Sequence, residues 1–399
     1  MARGHAGPAL VIVAAVVMSG EEDIADTGPV WDQGGGLELE RLPGDVSCDL
    51  CVVGLGGSGL AAVREGLARG LDVVGIDADE VASGAAGRNG GFLLAGVAAF
   101  HHDAVATLGA QRATALYRAT LAEVDAMERA TPQHVRRTGS LRIAESTEEL
   151  DDCRAQHERM QADGLPVEPY SGPEGEGLLF PHDGVCDPLA RCRTLARMAV
   201  AAGARLYAHT NASSVEPTVV TTGRGRVRCR TAIVAVDGGL ERLLPEMEVA
   251  VRTARLQMLA TAPTREAVLP RPVYRRYGYE YYQQLPDGRL AIGGFRDMAG
   301  DGEWTHDARP HSAVQDRLTA FVRDVLGVTA PITHRWAALV GYARGVLPAF
   351  ARLRGGVIAI GGYSGTGNVV GSILGREAVA AAIGDAEGLS GLFDLSSVD

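Results

Sequence analysis

The sequence contains no lysine: all 38 of its positive side chains are arginine. That excludes Schiff-base chemistry on a lysine and any step assisted by one. Positive charge is also in deficit overall, at a formal net charge of −11, which argues against a general nucleic-acid binder. Long apolar runs are scarce. Ala9 to Met18 follows Arg3 like the h-region of a signal peptide but is too short to span a membrane. No small-x-small cleavage site follows it, since Met18-Ser19-Gly20 runs into Glu21-Glu22-Asp23. An extended or misassigned start, with Met18 a possible natural first residue, is favoured over secretion, and a cytoplasmic protein is expected. Cysteines are few and scattered: Cys48, Cys51, Cys153, Cys186, Cys192 and Cys229. They form no disulfide framework, and Cys48 and Cys51 read as small apolar residues because no second pair stands near them. Adjacent residues on a helix do not face one another, so His101-His102 reads as a solvated pair rather than a metal site.

What is present begins with Asp49 to Asp79, DLCVVGLGGSGLAAVREGLARGLDVVGIDAD. Cys51 to Val53 suits a buried strand, Leu60 to Arg69 a helix stopped by Gly70, and Val73 to Ile76 a second strand. Between strand and helix stand Gly54, Gly56 and Gly59 in the G-x-G-x-x-G register, with Gly57 and Ser58 among them. Gly54 permits a sharp turn, Gly56 lets backbone approach a pyrophosphate, and Gly59 lets helix and strand pack closely. The helix N-terminus offers free N–H groups to the phosphates. Asp77 is spaced to accept from a ribose hydroxyl and to repel a 2′-phosphate. A lone glycine motif is weak in a chain of 52 glycines, but this one has its strand, helix, second strand and acid.

With 399 residues the chain has room for two domains. Pro29 to Asp45 reads as an irregular lead-in. Beyond Asp77, a small-residue loop carrying Arg88, Asn89 and Gly90 is placed to wrap a cofactor. His101 to Ala130 has helical spacing, Gly139 to Ala144 reads as a strand and Glu148 to Asp163 as a surface helix. Pro166 to Pro181 is loop-like, and Pro188 to Ala202 is a helix with proline in its first turn. Strands are expected at 205–208, 215–221, 227–230, 232–236, 255–260, 277–284 and 289–294, the last two joined by the turn Pro286-Asp287-Gly288. His311 to Leu326 reads as helical, and Thr333 to Tyr342 is apolar and aromatic. Val357 to Ile360 then runs into Gly361-Gly362-Tyr363-Ser364-Gly365-Thr366-Gly367-Asn368 and a helix to about Ile383. One helix N-terminus serves a dinucleotide pyrophosphate, so a second suggests another electron-rich target, such as a reduced flavin ring.

VVGLGGSGLAA, ASGAAGRNGGF, RTGSLRIA, RLQMLAT, YYQQLPDGRLAIGG and GGYSGTGNVVGSILGR, in this order over residues 46–385, resemble the D-amino-acid oxidase superfamily of FAD-dependent oxidoreductases. GRNGG and GYSG look most like its amine and amino-acid oxidase branch, which includes glycine oxidase-like, sarcosine oxidase-like and gamma-glutamylputrescine oxidase-like proteins. The resemblance implies an α/β protein with a discontinuous, Rossmann-like FAD-binding domain (46–135, 180–248 and 336–399) and a mixed-sheet α+β substrate domain (136–179 and 249–335). Residues 1–45 would be an extension, disordered or misassigned. Gly54, Gly56, Gly59 and Asp77 would hold the ADP half, with Arg88, Asn89 and Gly90 along the cofactor. Val215 would meet the adenine through its backbone. Gly365, Thr366 and Gly367, in one loop with Gly362, would face the flavin pyrimidine.

The sequence departs from the family pattern at several points. VGYARGVLPAF has no cysteine where sarcosine oxidases attach flavin, so FAD should be non-covalent. Ala291 stands where those enzymes carry a lysine that aids oxygen reduction. LVGYAR replaces a GLRP-like segment that holds the substrate carboxylate, with Arg344 displaced, so an amine substrate is more secure than an amino acid. The expected reaction is oxidation of a C–N bond by hydride transfer to flavin N5, hydrolysis of the imine, and passage of electrons to dioxygen giving hydrogen peroxide. Adjacent strand residues point to opposite faces, so only one of Tyr281 and Tyr282 can face the flavin, and the family pattern favours Tyr282. Arg296 and Arg344 are candidate anion anchors or simply surface arginines. A dehydrogenase using a quinone or protein acceptor and a non-catalytic nucleotide-binding scaffold are the competing readings.

Overall fold

Leu50–Val53 is buried along its whole length: parallel strands flank it on both sides, and its side chains pack alternately into a core on each face of the sheet. Leu50 pairs with Val73 on one side and with Thr231 on the other. In this computed structural model, which describes residues 24–385 and 390–398, those strands belong to a seven-stranded sheet. Its order is Arg205–Tyr207, Val73–Ile76, Leu50–Val53, Thr231–Val234, Ile358–Gly361, Ala349–Leu353 and Ser396–Val398. The first five run parallel and Ala349–Leu353 returns antiparallel. Near-continuous Val, Ile, Leu and Cys in the central strands is what a sheet covered on both faces requires. The helices Gly57–Ala68 and Gly367–Ala382 cover one face side by side. Gly375 permits their approach: a Cβ there would stand 2.2 Å from the Ser58 carbonyl oxygen. A four-stranded sheet, including Val219–Thr222 and Gly225–Arg228, covers the other face through Val220 and Val227.

The second large sheet has eight strands: Ile332–Ala343, Val251–Thr261, Leu290–Gly294, Glu280–Gln284, Val273–Arg275, Ser140–Ile143, Gly175–Phe180 and Glu168–Gly172. Only Val273–Arg275 and Ser140–Ile143 pair parallel; the rest are antiparallel. One face is sealed by Ser312–Ala320 and the π-turn Phe321–Val325, whose Leu318, Phe321 and Val322 pack on Leu259, Tyr282 and Ile292. The other face borders the first sheet's helices and loops, and the cavities lie there.

Several sequence expectations are corrected. His101 to Ala130 is two helices, His101–Leu108 and Ala110–Ala130, because Gly109 adopts φ +81° between them. His101 is not solvated: it is buried, with Nε2 2.8 Å from Asp163 Oδ2. Pro166 to Pro181 is no loop but the hairpin Glu168–Gly172 and Gly175–Phe180, and 215–221 is likewise a hairpin, Ala212–Glu216 and Val219–Thr222. The lead-in is irregular and mostly exposed from residue 24 onward, but it is anchored at a few points. Val30, Trp31 and Leu42 are buried there, where nothing in the sequence points to packing. The earlier part of the extension lies outside the described residues. The expected boundary at 335/336 falls inside Ile332–Ala343. No helix among the described residues is long and apolar enough to cross a membrane.

Candidate active site

The glycine loop after Leu50–Val53 is shaped by backbone contacts that side chains would block. Gly54 has φ +101°, and a Cβ there would lie 2.6 Å from the Ala235 carbonyl oxygen. A Cβ at Gly59 would lie 1.9 Å from the Gly54 oxygen, so the first helical turn sits directly on the strand end. The helix Gly57–Ala68 begins at Gly56 without a side-chain cap, and a Cβ on Gly57 would meet only open space. Its first N–H groups therefore stay free for an anion. Asp77 Oδ2 accepts from the Leu55 N–H at 2.7 Å and Oδ1 from the Asp79 N–H at 3.1 Å. Burial pushes the Asp77 carboxyl above its usual range, although these N–H groups oppose the shift.

These residues border a cavity of about 830 Å³ that runs from Gly54, Gly56, Gly57, Ser58 and Asp77 to Gly365 and Gly367. Val215 does not line it: the strand Ala212–Glu216 brings Ala212 and Ser213 to the cavity, and Val215 packs in the core behind. Gly362 does not line it either. With φ +69° it shapes the turn, and its N–H donates to Asp237 Oδ1 at 2.9 Å. Asp237 also accepts from the N–H groups of Gly341 and Tyr363, and burial pushes its carboxyl up to about 6. Sequence reasoning passed over this residue, whose signal was an acid between a strand and Gly238-Gly239.

A second cavity of about 500 Å³ meets the first at Arg88, Asn89, Gly365 and Asn368, which line both. Two tryptophans fix the junction: the Trp336 indole donates to the Arg88 carbonyl and the Trp31 indole to the Asn89 carbonyl, each at 2.8 Å. The carboxamides of Asn89 and Asn368 donate to each other's oxygens at 3.2 and 3.0 Å. Arg88 donates to the Ala337 carbonyl at 2.7 Å and is ion-paired with Asp26. Thr366 stands at the N-cap of Gly367–Ala382, whose first turn has no side-chain cap and no acid.

The wall of the second cavity is aromatic and reverses one assignment. Tyr281, not Tyr282, lines it, together with Tyr279, Tyr342 and Arg296. Gly90 and Gly293 make room for Tyr281: a Cβ on either would come within 3.2 or 2.4 Å of its ring. Tyr282 points to the opposite face and packs 5.5 Å from the Phe321 ring, beneath the helix that seals the sheet. Arg296 lies over Tyr342 at 4.6 Å, Trp304 at 4.7 Å and Tyr279 at 5.5 Å, and has no carboxylate at ion-pair distance among the described residues. Arg344 is exposed, reaches the Glu248 carbonyl at 3.4 Å and lines neither cavity. Ala291 is packed in the core. No cysteine lines either cavity, and no cluster of metal-ligating side chains occurs among the described residues.

A dinucleotide fits the first cavity on these grounds: free helix N–H groups, a glycine surface without Cβ atoms, and a buried carboxylate at one end. The comparisons agree. Residues 49–381 match the model of the family described as FAD dependent oxidoreductase. The chain is 27% identical over 372 residues to the probable oxidoreductase OrdL of Rhizobium meliloti, covering 86% of this chain and 85% of that one. It is 26% identical over 379 residues to gamma-glutamylputrescine oxidoreductase of Escherichia coli, covering 88% and 87%. Among solved structures, glycine oxidase from Geobacillus kaustophilus superposes with TM-score 0.69 at 19% identity, covering 84% of this chain and 95% of that one. L-proline dehydrogenase from P. horikoshii gives 0.72 at 17% identity, covering 88% and 96%. The family match spans most of the sequence and both sheets, and the chain belongs to the FAD dependent oxidoreductase family.

Proposed function

We propose that this oxidoreductase oxidises the C–N bond of a small amine or amino acid, with dioxygen as acceptor and hydrogen peroxide as product. The observation that carries the reading is the cavity lined by Arg296 and Tyr281, which opens onto the dinucleotide cavity at Asn89 and Asn368. FAD, when bound, supplies the two-electron acceptor. In this reading Gly57 and Ser58 hold the pyrophosphate, Asp77 accepts from the ribose, and the Gly365–Gly367 turn borders the ring system. Arg296 binds an anionic group of the substrate and so orients the amine, while Tyr281 forms the wall against which it packs. This shifts the sequence expectation from a plain amine towards an amino acid. An anaerobic screen of amines and amino acids, read by flavin bleaching, tests the proposal; a screen in which no compound bleaches the flavin would refute it.

A second reading, a dehydrogenase with a quinone or protein acceptor, is favoured by the absence of any lysine and by the burial of Ala291. Peroxide formation against dye reduction on the same substrate separates the two. Six free cysteines support a cytoplasmic location.

Asp77→Ala should weaken FAD about tenfold or more, since it removes a charged acceptor worth ~1.5–3 kcal/mol. A fluorescence titration with an unchanged dissociation constant would remove Asp77 from the site. The absence of cysteine from both cavities leads to a further expectation, that acid precipitation releases all the flavin into the supernatant. Colour retained in the pellet would mean a covalent link to another residue type.

A further inference from the structure

Arg142 is the second uncompensated cation of the substrate cavity. Cross-strand partners place it there: Arg142 pairs with Tyr274, Tyr274 with Tyr281, and Tyr281 with Gly293. These positions form one row across the eight-stranded sheet, and Arg142, Tyr274 and Tyr281 all line the cavity. Three strand spacings separate Arg142 from Gly293, roughly 14 Å of backbone. Arg296 follows three residues after Gly293 and faces the same cavity.

The surroundings leave Arg142 without an ion-paired carboxylate among the described residues. Its Nη1 donates to the neutral Gln156 carboxamide at 2.6 Å, and its guanidinium lies 4.0 Å from the Phe100 ring centre and 5.0 Å from that of Tyr274. No carboxylate among the described residues is at ion-pair distance, and no aspartate or glutamate lines the cavity at all. The nearby Asp183 is committed elsewhere, accepting from the Ser140 hydroxyl at 2.6 Å and the Ala95 N–H at 2.9 Å. Burial pushes its carboxyl up to about 7, so near neutrality it is only partly ionised and offsets only part of the arginine's charge. Of the cavity's three arginines only Arg88 has an acidic partner, Asp26. Such a cavity repels a diamine and calls for two anionic groups.

We infer that the substrate is an amine bearing two anionic groups, an amino dicarboxylate by class, with one carboxylate at Arg296 and the far one at Arg142. The inference rests on the substrate reading proposed above, but its test needs binding only. Flavin absorbance of the holoenzyme is titrated at fixed ionic strength with propionate, butyrate and valerate, and with succinate, glutarate and adipate. At one chain length the dicarboxylate should bind about tenfold or more tightly than the matched monocarboxylate. Arg142→Met should abolish that advantage while monocarboxylate affinity and flavin content hold, and Arg142→Lys should keep part of it. Equal affinities at every length, an advantage that survives Arg142→Met, or no binding by either series would overturn the inference. Should Arg142→Met fail to fold, the parent's chain-length profile and Arg142→Lys still decide. Amine turnover without a dicarboxylate preference would sink this inference alone; a preference without turnover of any amine would sink the oxidation reading alone.

Discussion

Arg296→Met should raise the dissociation constant of an anionic amine substrate by about two orders of magnitude, with a much smaller effect on a neutral amine of the same length. Truncating one partner of a desolvated, hydrogen-bonded charge pair costs ~2–5 kcal/mol, and ~3 kcal/mol is roughly a hundredfold. The guanidinium is held ready by three rings, Tyr279, Trp304 and Tyr342, rather than by an acid. Free enzyme therefore has no ion pair to break before substrate binds, and the ring faces limit the side chain's freedom. The measurement is stopped-flow flavin reduction at varied substrate under anaerobic conditions. The limiting rate should change less than the affinity, because positioning is lost before chemistry. Equal affinities in parent and variant would show that Arg296 does not meet the substrate.

Gly59→Ala should give a protein that purifies almost without flavin and melts below the parent. The added Cβ would stand 1.9 Å from the Gly54 oxygen, and neither backbone segment can yield without opening the turn. Overpacking of this kind costs ~1–3 kcal/mol, and here it also moves the helix N-terminus away from the strand. Gly57→Ala is the matched control. Its Cβ would enter open space on the cavity side, so stability should hold while FAD affinity falls by about tenfold, the equivalent of ~1.4 kcal/mol. Thermal melting of the two apoproteins and FAD titration separate the outcomes. A Gly59→Ala protein with parental flavin content would show that the close approach has no part in cofactor binding.

Local sequence carried the dinucleotide half because its constraints are local. Strand, glycine loop, helix and acid lie within Asp49 to Asp79, and Gly54 and Gly59 answer to backbone at the end of the neighbouring strand and within the same unit. The second strand–loop–helix unit, Ile358 to Ala382, is also contiguous in sequence, although its Gly375 answers to the distant Ser58 carbonyl. The substrate half was less legible. Tyr281 and Tyr282 are identical in type and adjacent, and alternation says only that they face opposite ways. What chose between them is distant in sequence: Ser312–Val325 packs onto the face of Tyr282, and Gly90 and Gly293 leave room on the face of Tyr281. Arg296 and Arg344 looked equivalent for the same reason, until Tyr279, Trp304 and Tyr342 converged on one of them and none on the other. Val215 and Ser213 sit on one strand, and the path of the hairpin decided which reached the cavity. Arg142 lies within RTGSLRIA and Asp237 before Gly238-Gly239, yet neither segment says what the side chain meets, and Gln156 stands in no motif, since their surroundings come from strands and helices scattered between residues 94 and 363. Sequence by itself determined the family, the cofactor-binding loops and most elements, because backbone geometry and periodicity are written in neighbours. Tertiary structure alone decided which side chains share the substrate cavity, because a strand's two faces differ only in what the rest of the chain packs against them.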